Sequence, residues 1–114
     1  MIMRIELFDF NSNKYIFELC PIGTELNNFA GLYTFCCYSK ISKNWPILYI
    51  GQTGDFSERI DDNLLRHQKL ECSLKKGATH VGLYPLKGGK NIRKKLEEEL
   101  ISYYEPPCNG RVKY

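Results

Sequence analysis

The sequence predicts one α+β domain built on a mostly antiparallel sheet. Three observations carry that reading. The chain has 114 residues, enough for one hydrophobic core and too few for two. Five stretches alternate with a period near two or are rich in aromatic and β-branched residues, the mark of strands. Two more space their apolar residues three and four apart, the mark of helices. The resulting order is ββ, ββ, α, β, α, which suits an antiparallel sheet with helices packed on it.

Each element has a local reason. Arg4–Phe10 and Lys14–Leu19 alternate, and Asn11-Ser12-Asn13 between them supplies turn residues, so the pair reads as a hairpin. Cys20-Pro21-Ile22-Gly23 ends it. Gly31–Tyr38 and Ile47–Gln52 form a second antiparallel pair, separated by the polar stretch Ser39–Asn44. Thr53-Gly54 closes the second strand. Asp55 then stands as an N-cap with Glu58 three residues on, the pattern of a capping box. The helix it opens places Phe56, Ile60, Leu64 and His67 on one face and is expected to run or restart through Lys76, where Gly77 stops it. Thr79–Leu86 is the next strand, closed by Pro85 and Gly88-Gly89. Asn91 is the expected cap of a last helix reaching Tyr104, with Ile92, Leu96, Leu100 and Tyr103 as its buried stripe and Pro106-Pro107 as its end.

Composition narrows the function classes. With 43% hydrophobic and 25% charged residues the chain is an ordinary globular protein, not a disordered or fibrous one. No apolar run approaches the roughly 20 residues needed to span a bilayer, so no membrane partner is expected. Met1-Ile2-Met3-Arg4-Ile5-Glu6 does not read as a secretion signal. The five cysteines lack CxxC spacing and read as reduced thiols of a cytoplasmic protein. Cys36 and Cys37 should point to opposite faces of their strand. Cys72, His67, His80 and Cys108 have no finger-like spacing, so buried thiols and ordinary histidines fit them better than zinc. The net charge of +3 is mild, but the basic surplus lies after Gly31. Lys87, Lys90, Arg93, Lys94 and Lys95 run without an acid up to Glu97-Glu98-Glu99, as a phosphate-binding edge or a solvated helix start would.

Four places can carry chemistry. Gly31-Leu32-Tyr33 and Tyr49-Ile50-Gly51 lie on paired strands, so their phenols can approach, with glycines admitting a ligand or backbone. Arg59 falls at the margin of its helix's apolar face, where an always-charged guanidinium suits a phosphate oxygen. Glu97 is the acid of its triplet nearest the buried stripe, and a half-buried carboxylate needs a partner, either a metal ion or Arg93 one turn back. Asn109, after Pro106-Pro107-Cys108, has an amide for a phosphate or a backbone group. Each residue alone is more simply a structural one.

Together these residues, in this order, resemble the GIY-YIG nuclease superfamily: Gly31-Leu32-Tyr33, Tyr49-Ile50-Gly51-Gln52-Thr53, Arg59-Ile60, Glu97 before Leu100-Ile101, and Pro106 with Asn109. The match covers residues 31–114 and leaves residues 1–30 as an N-terminal β-hairpin extension. That extension would lengthen the sheet, cover an edge or form a homodimer contact. The resemblance implies a central three-stranded antiparallel sheet flanked by helices, and an endonuclease that hydrolyses phosphodiester bonds, in DNA above all, with one Mg²⁺ or Mn²⁺. It implies that Glu97 holds the metal, that Tyr33 and Tyr49 position and deprotonate water, that Arg59 stabilises the transition state, and that Asn109 steadies the phosphate or a loop. Gly51, Gln52, His67, Lys90, Arg93 and Lys94 are the expected substrate contacts. The chain departs from the family in having Leu32 in the first motif, a longer Thr34–Leu48 segment, Gln52 after the second motif and Asn63 one turn past Arg59. The alternative is a module of the same kind that binds nucleic acid or protein with little or no cleavage.

Overall fold

A computed structural model describes residues 3–62 and 67–110, the side chains of Asp61 and Asp62 excepted. The strands are β1 (Met3–Phe8), β2 (Lys14–Pro21), β3 (Gly31–Cys36), β4 (Ile47–Thr53) and β5 (His80–Pro85). A π-helical turn spans Glu58–Asp62, followed by helices α1 (Gln68–Lys75) and α2 (Lys90–Tyr104) and a 3-10 turn at Pro107–Asn109.

All five strands belong to one antiparallel sheet in the order β1-β2-β5-β3-β4. This corrects the three-stranded centre with a separate hairpin that the family resemblance implied. β5 pairs with β3 along one edge, which leaves a second row of backbone donors and acceptors open. Glu18–Pro21 of β2 fill it, pairing with His80–Leu83. The predicted hairpin is therefore part of the sheet. Its turn is held by Asp9, whose carboxylate accepts from the Asn11 and Asn13 N–H groups, the Asn13 amide and the Tyr15 hydroxyl at 2.9–3.0 Å.

Alternation along β3 divides the core. Leu32 and Cys36 face Phe17, Leu19, Ile50 and Leu100 of α2, while Tyr33 and Phe35 face Phe56, Ile60, Leu70 and Val81 on the other side. Cys37 packs on the face opposite Cys36, as expected.

The helices differ from their expected form in two ways, both in α2. The Asp55 carboxylate caps as predicted, accepting from Ser57 and Glu58 N–H, and of the two forms expected after it, a helix that runs on or one that restarts, the second is found. A π turn follows, and α1 starts afresh with His67 as its N-cap; Leu64 and Asn63 lie outside the described residues. At the last helix the cap is Gly89, not Asn91. The buried stripe of α2 is also rotated. Ile92 and Tyr103 are 52% and 44% exposed, while Leu96, Leu100, Ile101 and Tyr104 pack on the core. The rotation brings positions 93 and 97 to the sheet side, since they share a face with 96, 100, 101 and 104.

Candidate active site

The site lies along the outer edge of β4, which among the described residues pairs only with β3. Tyr33 stands opposite Gly51 and Phe35 opposite Tyr49, so the two phenols sit diagonally on one face, ring centroids 6.0 Å apart. Gly51 has a steric reason to be glycine. A Cβ there would come 2.6 Å from the Tyr33 ring, so Tyr33 lies flat over bare backbone. Gly31 does the same for the Phe56 ring, 2.7 Å from where a Cβ would be.

Tyr33 is 1% exposed and His67 3%. Its hydroxyl meets His67 Nε2 at 2.5 Å. His67 Nδ1 accepts the Lys69 N–H at 3.1 Å, so that nitrogen carries the lone pair. The ring proton therefore sits on Nε2 and is donated to the Tyr33 oxygen. Tyr33 keeps its own proton to give, and Tyr49 is within hydrogen-bond reach. Arg59, half-buried in the π turn, also reaches the Tyr33 hydroxyl and lies near Tyr49 and His67.

Burial dominates the electrostatics of every titratable group here. It pushes His67 down to about 4, with Arg59 and Lys69 adding to the effect. Burial raises Tyr33 well above an ordinary phenol, and Tyr49 adds to the rise. Tyr49 is also raised by burial, but donation from Tyr33 and the Arg59 charge pull the other way. Arg59 thus acts on both phenols, His67 and Arg59 both bond the buried Tyr33 oxygen, and Tyr49 is the one that accepts from the other phenol while keeping part of its surface exposed.

Glu97 is half-buried and its carboxyl is raised, first by burial and then by Glu98; Lys94 and the backbone N–H of Gln52 lower it. Tyr49 feels its charge. Glu97 thus reaches the site over the β4 edge. Arg93, one of its two expected partners, donates instead from Nε to Gln52 Oε1 at 3.1 Å. A half-buried carboxyl near Tyr49 is a chemically reasonable ligand for one hard cation. Among the described residues no group of three His, Cys, Asp or Glu side chains could hold an ion, so most of the shell would be water and substrate oxygens.

Asn109 takes the second of its two expected roles and bonds a backbone group. Its Oδ1 accepts the Ile50 N–H at 2.9 Å and its Nδ2 donates to the Ile50 carbonyl at 2.8 Å. Of the expected substrate contacts, Gly51 and Gln52 lie in the site, His67 is buried beneath it, and Arg93 flanks it through Gln52. Lys90 and Lys94 are exposed on α2, with only Lys94 acting on Glu97. Two features went unread in the sequence. The helical period puts His67 on an apolar helix face, whereas it caps α1 and bonds Tyr33. Cys72 and Cys108, read as free thiols, form a disulfide; no spacing signalled it, because the pair is 36 residues apart and is brought together by the fold alone.

Comparison of the chain with protein-family models, with curated proteins and with solved structures finds no match. Among the described residues no helix is long and apolar enough to cross a membrane.

Proposed function

We propose that the chain is a metal-dependent endonuclease of the GIY-YIG type, hydrolysing phosphodiester bonds in DNA. The observation that carries this reading is the convergence of Tyr33, Tyr49 and Arg59, from three separate elements, on one face of the sheet, with Glu97 of α2 acting on Tyr49 across the β4 edge. Glu97 would hold one Mg²⁺ or Mn²⁺, which when bound supplies Lewis-acid stabilisation of a phosphate oxygen. Arg59 supplies a fixed positive charge to the developing phosphorane. Tyr49 is the better placed of the phenols to accept a proton from water, because it is partly exposed where Tyr33 is fully buried, and Tyr33 donates to its oxygen. His67 orients Tyr33, and Asn109 holds the Ile50 backbone between Tyr49 and Gly51. Arg93, Lys90 and Lys94 provide a basic flank for neighbouring phosphates. A cytoplasmic location goes with this reading.

One observation favours the second reading, a nucleic-acid-binding module with little cleavage. Both phenols are pushed above the ordinary range, which makes either a reluctant base. Plasmid nicking with Mg²⁺ or Mn²⁺ decides between them. Nicking that EDTA stops, and that Glu97→Gln and Tyr49→Phe both lose while staying folded, supports the nuclease. Absence of nicking on plasmid, branched DNA and RNA, with binding retained, supports the module.

A further inference from the structure

The Cys72–Cys108 disulfide has no part in the chemistry above, yet it joins two of the site's supports. Cys72 lies in α1, the helix whose N-cap, His67, donates to Tyr33. Cys108 immediately precedes Asn109, which holds both backbone groups of Ile50. One covalent bond thus spans from the support of the first tyrosine to the support of the second.

Both supports are small. α1 has eight residues, with only Leu70 and Ser73 buried, and a helix that short does not hold itself in water. The other support is a three-residue 3-10 turn near the end of the described chain. Elements with so little buried surface sit at the low-stability end of a fold, so a covalent tie between them governs their positions more than it would between core strands.

The two sulfurs differ in access. Cys72 is partly exposed and Cys108 is 3% exposed. Of the remaining described thiols, Cys20 and Cys36 lie in strands and Cys37 follows directly after β3. Burial pushes Cys36 up to about 12 and raises Cys20, which makes them poor thiolates for reshuffling.

We propose that the Cys72–Cys108 bond is a redox latch that sets the rigidity, and with it the activity, of the β4 edge. A dithiol reductant provides the electrons. Its thiolate attacks Cys72 Sγ, the sulfur–sulfur bond breaks, and Cys108 leaves as a thiolate that takes up a proton. The reductant's second thiol, as thiolate, then attacks the mixed disulfide, releasing Cys72 as a thiol once protonated and the reductant as its own disulfide. Two electrons and two protons pass to the protein. Once α1 and the 3-10 turn are untied, Asn109 releases Ile50 more often and His67 releases Tyr33.

The activity part rests on the nuclease reading; the rigidity part does not. The test compares the oxidised chain, the chain treated with dithiothreitol, and Cys72→Ser/Cys108→Ser. Readouts are far-UV circular dichroism, hydrogen exchange of the Ile50 amide, and nicking. The expected result is retained secondary structure, with Ile50 exchange at least about tenfold faster and nicking at least about tenfold slower after reduction. Oxidised glutathione should reverse both changes, and the double variant should match the reduced chain while ignoring the redox state. Exchange and nicking unchanged within twofold would overturn the proposal, and so would loss of the whole fold on reduction, which would make the bond a general brace. If no form nicks any substrate, the nuclease reading fails, while Ile50 exchange still decides the latch.

Discussion

Replacing Asn109 by alanine should destabilise the protein before it affects any substrate contact. β4 is an edge strand, and the N–H and C=O of Ile50 both turn outward from the sheet, toward the carboxamide of Asn109. An amide side chain carries one donor face and one acceptor face, so it satisfies that pair as a neighbouring strand would. The change removes two hydrogen bonds worth about 1 kcal/mol each and exposes part of their buried partners to incomplete solvation, a loss of about 2–4 kcal/mol in all. For a domain of this size that corresponds to a fall in Tm of about 10–25 °C. Thermal and urea denaturation measure it, and the Ile50 amide should lose its exchange protection. Asn109→Asp sharpens the test. At neutral pH the new carboxylate keeps the acceptor but faces the Ile50 carbonyl without a proton. Its neutral form is favoured in the fold, its folded pKa is raised, and stability should recover as pH falls through that value. If Asn109→Ala kept its Tm within about 2 °C and the Ile50 amide stayed protected, the bracing role would be wrong and Asn109 would be a substrate ligand after all.

Three further outcomes follow from the same geometry. Gly51→Ala, which would set a methyl 2.6 Å from the Tyr33 ring, should cost about 1–3 kcal/mol in urea denaturation and slow nicking together. His67, held neutral at about 4 against an ordinary 6.5, contributes stability that is fully present above pH 6.5 and is lost as pH falls toward 4; the loss is about 3 kcal/mol, and His67→Gln should flatten it in urea titrations across that range. Glu97 has a raised pKa, so its ionised form opposes folding at neutral pH and its stabilising contribution returns only as pH falls through that value. Glu97→Gln should therefore be at least as stable as wild type at pH 7 in metal-free buffer by thermal denaturation, even as it loses nicking.

The strands were legible because each is bounded by residues that cannot continue it and each alternates or is β-rich. Their neighbours were not. Nothing in Glu18–Pro21 announces a partner, and the β2–β5 pairing follows from the need to satisfy the open edge of β5, a property of the assembled sheet. The face of α2 was misread by one step, because Ile92 and Tyr103 fit the period and yet remain largely exposed. At the site, the approach of Tyr33 and Tyr49 was legible from their paired strands, and a backbone group was one of the two partners expected for Asn109, though not which one, since Ile50 is 59 residues away. The bond of His67 to Tyr33, across 34 residues, had no signal at all.

The supports and the electrostatics of the site are one feature seen twice. Gly51 admits the Tyr33 ring, His67 fixes its hydroxyl, Asn109 fixes the strand between Tyr49 and Gly51, and each step removes water from the phenols. That desolvation is the first cause of the shifts at Tyr33, Tyr49, His67 and Glu97. All four shifts favour the uncharged form, while the guanidinium of Arg59 remains charged. On the nuclease reading, a phosphodiester entering beside Arg59 would gain an attraction strengthened by the low local dielectric. A divalent cation at Glu97 would favour its ionised form, against the desolvation that raises it. Either ion would make the other easier to accommodate, so the groups that hold the phenols still would also tie substrate capture to the charge on Glu97.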